Sequence, residues 1–156
     1  MSKSVKRVRA ALLAAGLPDG IVEMPDETRT AEQAAAAAGC ALDQIVKSIV
    51  FRGEATGHVV LFLTAGGNRV SPERAGLLAG EALGRADADL VRAETGFAIG
   101  GVAPLGHLAP IRSFLDPRLL EFDRVWAAAG TPRHIFPAEP RALLAATGAT
   151  VGDFTH

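Results

Sequence analysis

Apolar residues at Val5, Val8, Leu12 and Ala15 recur at the spacing that gathers side chains on one side of a helix, and Gly16 with Pro18 ends the run. A short extended piece over 21–24 leads into a polar loop over 25–29. Thr30-Ala31-Glu32-Gln33 then reads as a capping box: the Thr30 hydroxyl accepts from the amide three residues on while Gln33 reaches back, opening a helix that runs to Gly39. The period changes to two over 45–51, predicting a strand. A Gly-rich turn at Gly53 and Gly57 leads to a second strand over 59–64, so the two are expected to pair antiparallel. Ser71-Pro72 places an N-cap before a first-turn proline and predicts a helix toward Leu78. A further helix is expected over 89–94, stopping at Gly96. Strands follow over 111–115 and 124–128, then 133–136 after the Gly130-Thr131-Pro132 turn, and a closing helix over 138–147 ends at Gly148. Trp126 is expected in the core. Hairpin strands mixed with short helices, without a regular strand-helix repeat, predict an α+β domain: a mixed, largely antiparallel β-sheet surrounded by short helices, in one unit over 1–156.

One residue departs from this pattern. Lys47 shares a strand face with Ile45, Ile49 and Phe51, while Val46, Ser48 and Val50 line the other, so both faces read as buried. A lysine there must find an anion, snorkel to an edge or lose its proton. The alternative is an edge-strand lysine that discourages sheet-to-sheet association.

Composition narrows the class. With 156 residues, 49% apolar and 21% charged, the chain is globular and long enough for a core without staples. No apolar run reaches the ~18 residues of a membrane helix, and no secretory core follows the start, so no membrane partner and a cytoplasmic location are expected. The single cysteine, Cys40, excludes an internal disulfide and reads as a small hydrophobe rather than a nucleophile. The histidines 58, 107, 134 and 156 lack ligand spacing, so no metal and no cofactor are expected. A net charge of −1 argues against bulk electrostatic binding of nucleic acid, although Lys3, Lys6, Arg7 and Arg9 on the first helix suffice for a few phosphates, a solvated face being the plainer reading.

A second unusual segment is Thr95-Gly96-Phe97-Ala98-Ile99-Gly100-Gly101-Val102-Ala103-Pro104-Leu105-Gly106. Its glycines describe a tight loop whose backbone can approach a ligand, with amides free to cradle an oxygen. It is neither a P-loop nor a dinucleotide fingerprint. Read alone, a glycine-rich segment of this kind is more often just a turn.

The segments around Thr30, Lys47 and Gly100, with Val125-Trp126-Ala127-Ala128-Ala129-Gly130, resemble in order the YbaK family, the editing domain inserted in bacterial prolyl-tRNA synthetases and its free-standing relatives. The resemblance implies a free-standing aminoacyl-tRNA deacylase that hydrolyses the ester of a mischarged small amino acid such as alanine, cysteine or serine on tRNA for proline. Its partners would be the acceptor end of that tRNA and prolyl-tRNA synthetase. It implies Lys47, Gly100 and Gly101 as the catalytic set, with Thr30, Ser48, Ile49, Thr95, Gly96, Phe97, Val102, Ala103, Pro104 and His134 around the substrate. Ile49, Val102 and Phe97 are expected to wall a pocket that refuses the proline ring. Ser48 stands where one alanine-clearing branch carries asparagine, and Ala103 where the loop often has serine. The rival class is a non-catalytic module that binds the tRNA acceptor end or a synthetase, since fold does not fix activity.

Overall fold

The computed structural model describes residues 2–156. Along them run α1 (Lys3–Ala14), β1 (Val22–Glu23), α2 (Ala31–Ala38), β2 (Ile45–Gly53), β3 (Val59–Ala65), α3 (Pro72–Ala79), β4 (Leu83–Arg85), α4 (Ala88–Thr95), β5 (Arg112–Leu115), β6 (Val125–Ala128), β7 (His134–Ala138), α5 (Pro140–Thr147) and β8 (Thr150–Val151). Short 3-10 turns at Leu42–Gln44 and Pro117–Glu121 complete the order. Local chemistry explains the helix starts. Thr30 and Gln33 form the full capping box of α2, and the Ser71 hydroxyl caps α3 ahead of Pro72.

All strands join one sheet in the order β1-β7-β6-β2-β3-β5-β8, with β4 paired to β2 off this path. The expected hairpin is present: β2 and β3 run antiparallel with Lys47 opposite Thr64 and Ile49 opposite Phe62. The pairs β1/β7, β2/β4 and β6/β7 are also antiparallel, whereas β2/β6, β3/β5 and β5/β8 are parallel. The sheet is thus mixed and largely antiparallel. Strand alternation splits the core. Leu61 and Leu63 pack with Val8 and Leu12 of α1, Val91 of α4 and Leu143 of α5, while Val60 and Phe62 pack with Ala75 and Ala79 of α3. Farther along that second face, α2 sets Ala31, Ala34 and Ala35 against Ile45 and Trp126.

β2 lies between β6 and β3 in the strand order, so Lys47 is not on an outer edge strand. The expectation that both faces of the strand are buried is corrected as well, because residues 47–51 are only half-buried. The register gives the reason. On one edge of β2, β6 pairs only with Ile45 and Val46, and β4 pairs only with Phe51, Arg52 and Gly53. Lys47, Ser48, Ile49 and Val50 therefore face a gap in the sheet. No helix among the described residues is long and apolar enough to cross a membrane.

Candidate functional site

The gap opens into a cavity of about 390 Å³. Five consecutive residues of β2, from Ile45 through Ile49, line it, which an unbroken sheet covering that edge would prevent. α2 contributes Ala31, Glu32 and Ala34, its leading loop Thr28, Arg29 and Thr30, and β6 Trp126, Ala127 and Ala128. Ile99, Gly100 and Val102 of the glycine loop close the side where a strand is missing.

Three loops meet around this space and are tied to one another. The Thr28 hydroxyl donates to the Pro132 carbonyl at 2.9 Å, and the Arg133 guanidinium to the Pro25 carbonyl at 2.7 Å. Gly101 lies against Thr131, where an added Cβ would stand 2.8 Å from the Thr131 Cα. Gly100 has φ +95°, and a Cβ on it would come within 3.0 Å of Arg29 Nη1. The ends of the glycine loop are fastened from α1: Arg7 donates through Nη2 to the Gly96 carbonyl at 2.7 Å and through Nε to the Gly106 carbonyl at 2.9 Å. Its guanidinium carbon also lies 4.6 Å from the Phe97 ring centroid. Arg7 therefore belongs to the interior scaffold rather than to a solvated basic face.

Lys47 is held by a carbonyl, not a carboxylate: Nζ donates to the Asn68 backbone oxygen at 2.6 Å. Burial pushes its ammonium below the ordinary lysine value, Glu32 opposes that shift, and Arg69 adds to it. Asp116, 2% exposed, positions the carbonyl. One of its oxygens accepts from Asn68 Nδ2 at 2.9 Å and from the Ala65 amide at 3.1 Å, the other from the Arg118 amide at 3.0 Å. Asp43 accepts from the Gly67 amide at 2.8 Å and pairs with Arg118. Asp116→Ala is expected to strip these buried donors of their acceptor and to cost about 3 kcal/mol, a fall of roughly 6–12 °C in melting temperature. An unshifted melting curve would remove Asp116 as the anchor of this turn.

Of the residues expected around a substrate, Thr30, Lys47, Ser48, Ile49, Gly100 and Val102 come together at the cavity. The Thr30 hydroxyl is occupied in capping, whereas Ser48 Oγ is buried with no hydrogen-bond partner among the described residues. Thr95, Gly96, Phe97, Gly101, Ala103, Pro104 and His134 are not in its lining. The expectation that Phe97 walls the pocket is corrected: its ring is fully buried under Arg7, in the core shared by α1 and α4. The Thr95 hydroxyl bonds back to the Val91 carbonyl, and Gly96 ends α4. Ala103 and Pro104 are buried behind Val102, where His107 Nε2 donates to the Ala103 carbonyl at 2.7 Å and burial pushes the imidazole down from its ordinary value. The Thr131 hydroxyl and His134 Nδ1 share a hydrogen bond of 2.6 Å, which steadies the loop that Gly101 touches.

Sequence reasoning missed Arg29, Glu32 and Trp126. Trp126, expected in the core, is half-buried because its ring lines the cavity between α2 and β6. Glu32 had a signal, since it follows the Thr30 cap on the first turn of the helix that flanks Lys47. Cys40 lies outside the lining, and burial pushes its thiol up, away from nucleophilic character. No cluster of three metal-ligating side chains occurs among the described residues.

Comparison with known proteins bears on the family and the fold. The model of the aminoacyl-tRNA editing domain matches residues 25–146. A crystal structure of a proposed trans-editing enzyme for prolyl-tRNA synthetase is 48% identical with a TM-score of 0.92, covering 100% of this chain and 99% of that one. A structure from work on grafting epitope backbones onto scaffold proteins is 44% identical with a TM-score of 0.91, over 100% of this chain and 99% of that one. Protein YwhH of Bacillus subtilis (strain 168), itself uncharacterized, is 30% identical over 140 residues, 90% of this chain and 88% of its own length. The fold, the match over most of the chain and these relatives together place it: the chain belongs to the aminoacyl-tRNA editing domain family.

Proposed function

We propose that the chain is a trans-editing deacylase that hydrolyses the ester between a small amino acid, such as alanine, cysteine or serine, and the terminal adenosine of tRNA for proline. The observation that carries this reading is the cavity in the sheet gap, where one half-buried ammonium and the unpaired edge of β2 meet apolar walls from Ile49, Val102 and Trp126. Lys47 takes a phosphate oxygen as a point charge. Backbone groups of the β2 edge and of Gly100 orient the aminoacyl group, which every amino acid presents alike. The side chain is assigned to the wall formed by Ile49, Val102 and Trp126, so discrimination is by size.

No histidine among the described residues lines the cavity, and neither the Ser48 nor the Thr30 hydroxyl is hydrogen-bonded to a base. We therefore read the nucleophile as external to the protein and, between water and a group of the substrate, assign it to a water molecule. Its oxygen adds to the ester carbonyl carbon, the bond from that carbon to the ribose oxygen breaks, and the departing oxygen takes the proton the water releases. The neighbouring ribose hydroxyl, adjacent on the same sugar, can relay that proton. Free amino acid and an intact tRNA 3′ end result.

The test is a panel of tRNA for proline charged with alanine, cysteine, serine or proline. Hydrolysis of the small esters is expected at least tenfold faster than of the prolyl ester, the margin a size filter of one or two methylenes supplies. Binding of all four without hydrolysis above the buffer rate would overturn the deacylase and leave a docking module. Equal hydrolysis of all four would overturn selection by size.

A further inference from the structure

Lys47 and Ile49 line two cavities, not one. The second, about 300 Å³, runs along the same face of β2 from Lys47 and Ile49 past Phe51 to Arg69, Val70 and His156. The two spaces differ in charge. The first sets Glu32 beside Arg29 and Lys47, whereas the second has Arg69, exposed and paired with no carboxylate of the described residues, and no acidic side chain in its lining. Arg69 is also close enough to Lys47 to disfavour its protonation, so an anion bridging the two cations would relieve both. The backbone beneath Arg69 is fixed, because its carbonyl accepts from the His156 amide at 3.0 Å and Val70 bridges to Thr155. The floor is apolar, with a half-buried Phe51 set edge-on to Phe62.

We infer that this groove is the subsite for the nucleotide preceding the terminal adenosine, with Arg69 and Lys47 on the linking phosphodiester and Phe51 and Val70 under the base. The inference rests on the reading that the first cavity holds the aminoacyl-adenosine. The shared wall at Lys47 is then where the chain passes from one cavity to the next, and only its phosphate carries charge there. The minimal recognised unit is a 3′ strand of at least two nucleotides rather than an adenosine ester.

The test compares wild type with Arg69→Ala on two alanyl esters, one on adenosine and one on the trinucleotide CCA, and separately titrates the uncharged CCA trinucleotide by NMR at several salt concentrations. Arg69→Ala is expected to weaken trinucleotide binding about tenfold and to lower the slope of log affinity against log salt by about 0.7. Its loss in kcat/KM is expected to be about tenfold larger for the trinucleotide ester than for the adenosine ester. Arg69→Lys is expected to restore most of both. Equal losses on the two esters, or trinucleotide binding with unaltered affinity and slope, would overturn the subsite. A wild type that hydrolyses neither ester yet binds the trinucleotide through Arg69 upholds the subsite and removes the deacylase, while hydrolysis indifferent to Arg69 does the reverse.

Discussion

Lys47→Ala is expected to lower kcat/KM for alanyl-tRNA by about a hundredfold while the protein stays folded. A charge-assisted contact in a partly dried site is worth about 3 kcal/mol, and each 1.36 kcal/mol is a factor of ten in rate. Stability moves less because the variant loses a bond to the Asn68 carbonyl but also removes a desolvated charge from β2. Lys47→Arg is expected to be impaired too, since a planar guanidinium does not fit where a compact ammonium meets one carbonyl. pH separates the roles. The lowered Lys47 value means that the ammonium is lost at a lower pH than from a free lysine, so wild-type activity should fall on the alkaline side below the usual lysine range. Any residual activity of the arginine variant should not fall there. Rates measured from neutral to alkaline pH, corrected for spontaneous ester hydrolysis, check both; full activity of Lys47→Ala would end the phosphate-binding role.

Gly101→Ala is expected to slow deacylation by about a hundredfold and to lower the melting temperature. An added Cβ would meet the Thr131 backbone at 2.8–3.0 Å, and backbone cannot swing aside as a flexible side chain can. The glycine loop must then move away from the 130–133 turn and carry Gly100 and Val102, both cavity-lining residues, with it. A misplacement of about 1 Å at a reacting centre costs on the order of a hundredfold. Melting and single-turnover deacylation on one preparation distinguish the outcomes. Normal turnover in a destabilised protein would mean that the loop is a connection only.

Local chemistry made much of this fold legible. The Thr30–Gln33 box, the Ser71-Pro72 start and the alternation through β2 and β3 each act over a few residues, and the corresponding elements formed. The parallel pairings of β6 and β8 were not legible, because they join segments far apart in the chain and no turn chemistry specifies them. β4 is three residues long, too short for a period to show. At the site, Lys47 announced itself as an ammonium among apolar residues, but Phe97 and Trp126 exchanged places. Both are aromatic residues in apolar segments, and only the register of the sheet gap decides which ring faces space and which is sealed under Arg7. Arg7 itself reads in sequence as one cation among several on a helix. Its two carbonyl partners lie about ninety or more residues away.

That clasp has an evolutionary consequence. A loop pinned at both ends by one guanidinium moves as a unit, so its stance over the cavity follows the seat of α1, which Val5, Val8 and Leu12 set in the core. Small volume changes beneath that helix shift the wall of the cavity without altering any residue that touches substrate. Under the proposed function, substitutions beneath α1 are therefore expected to change which amino acid is admitted while the cavity-lining residues stay the same, so those residues alone would not sort relatives by substrate.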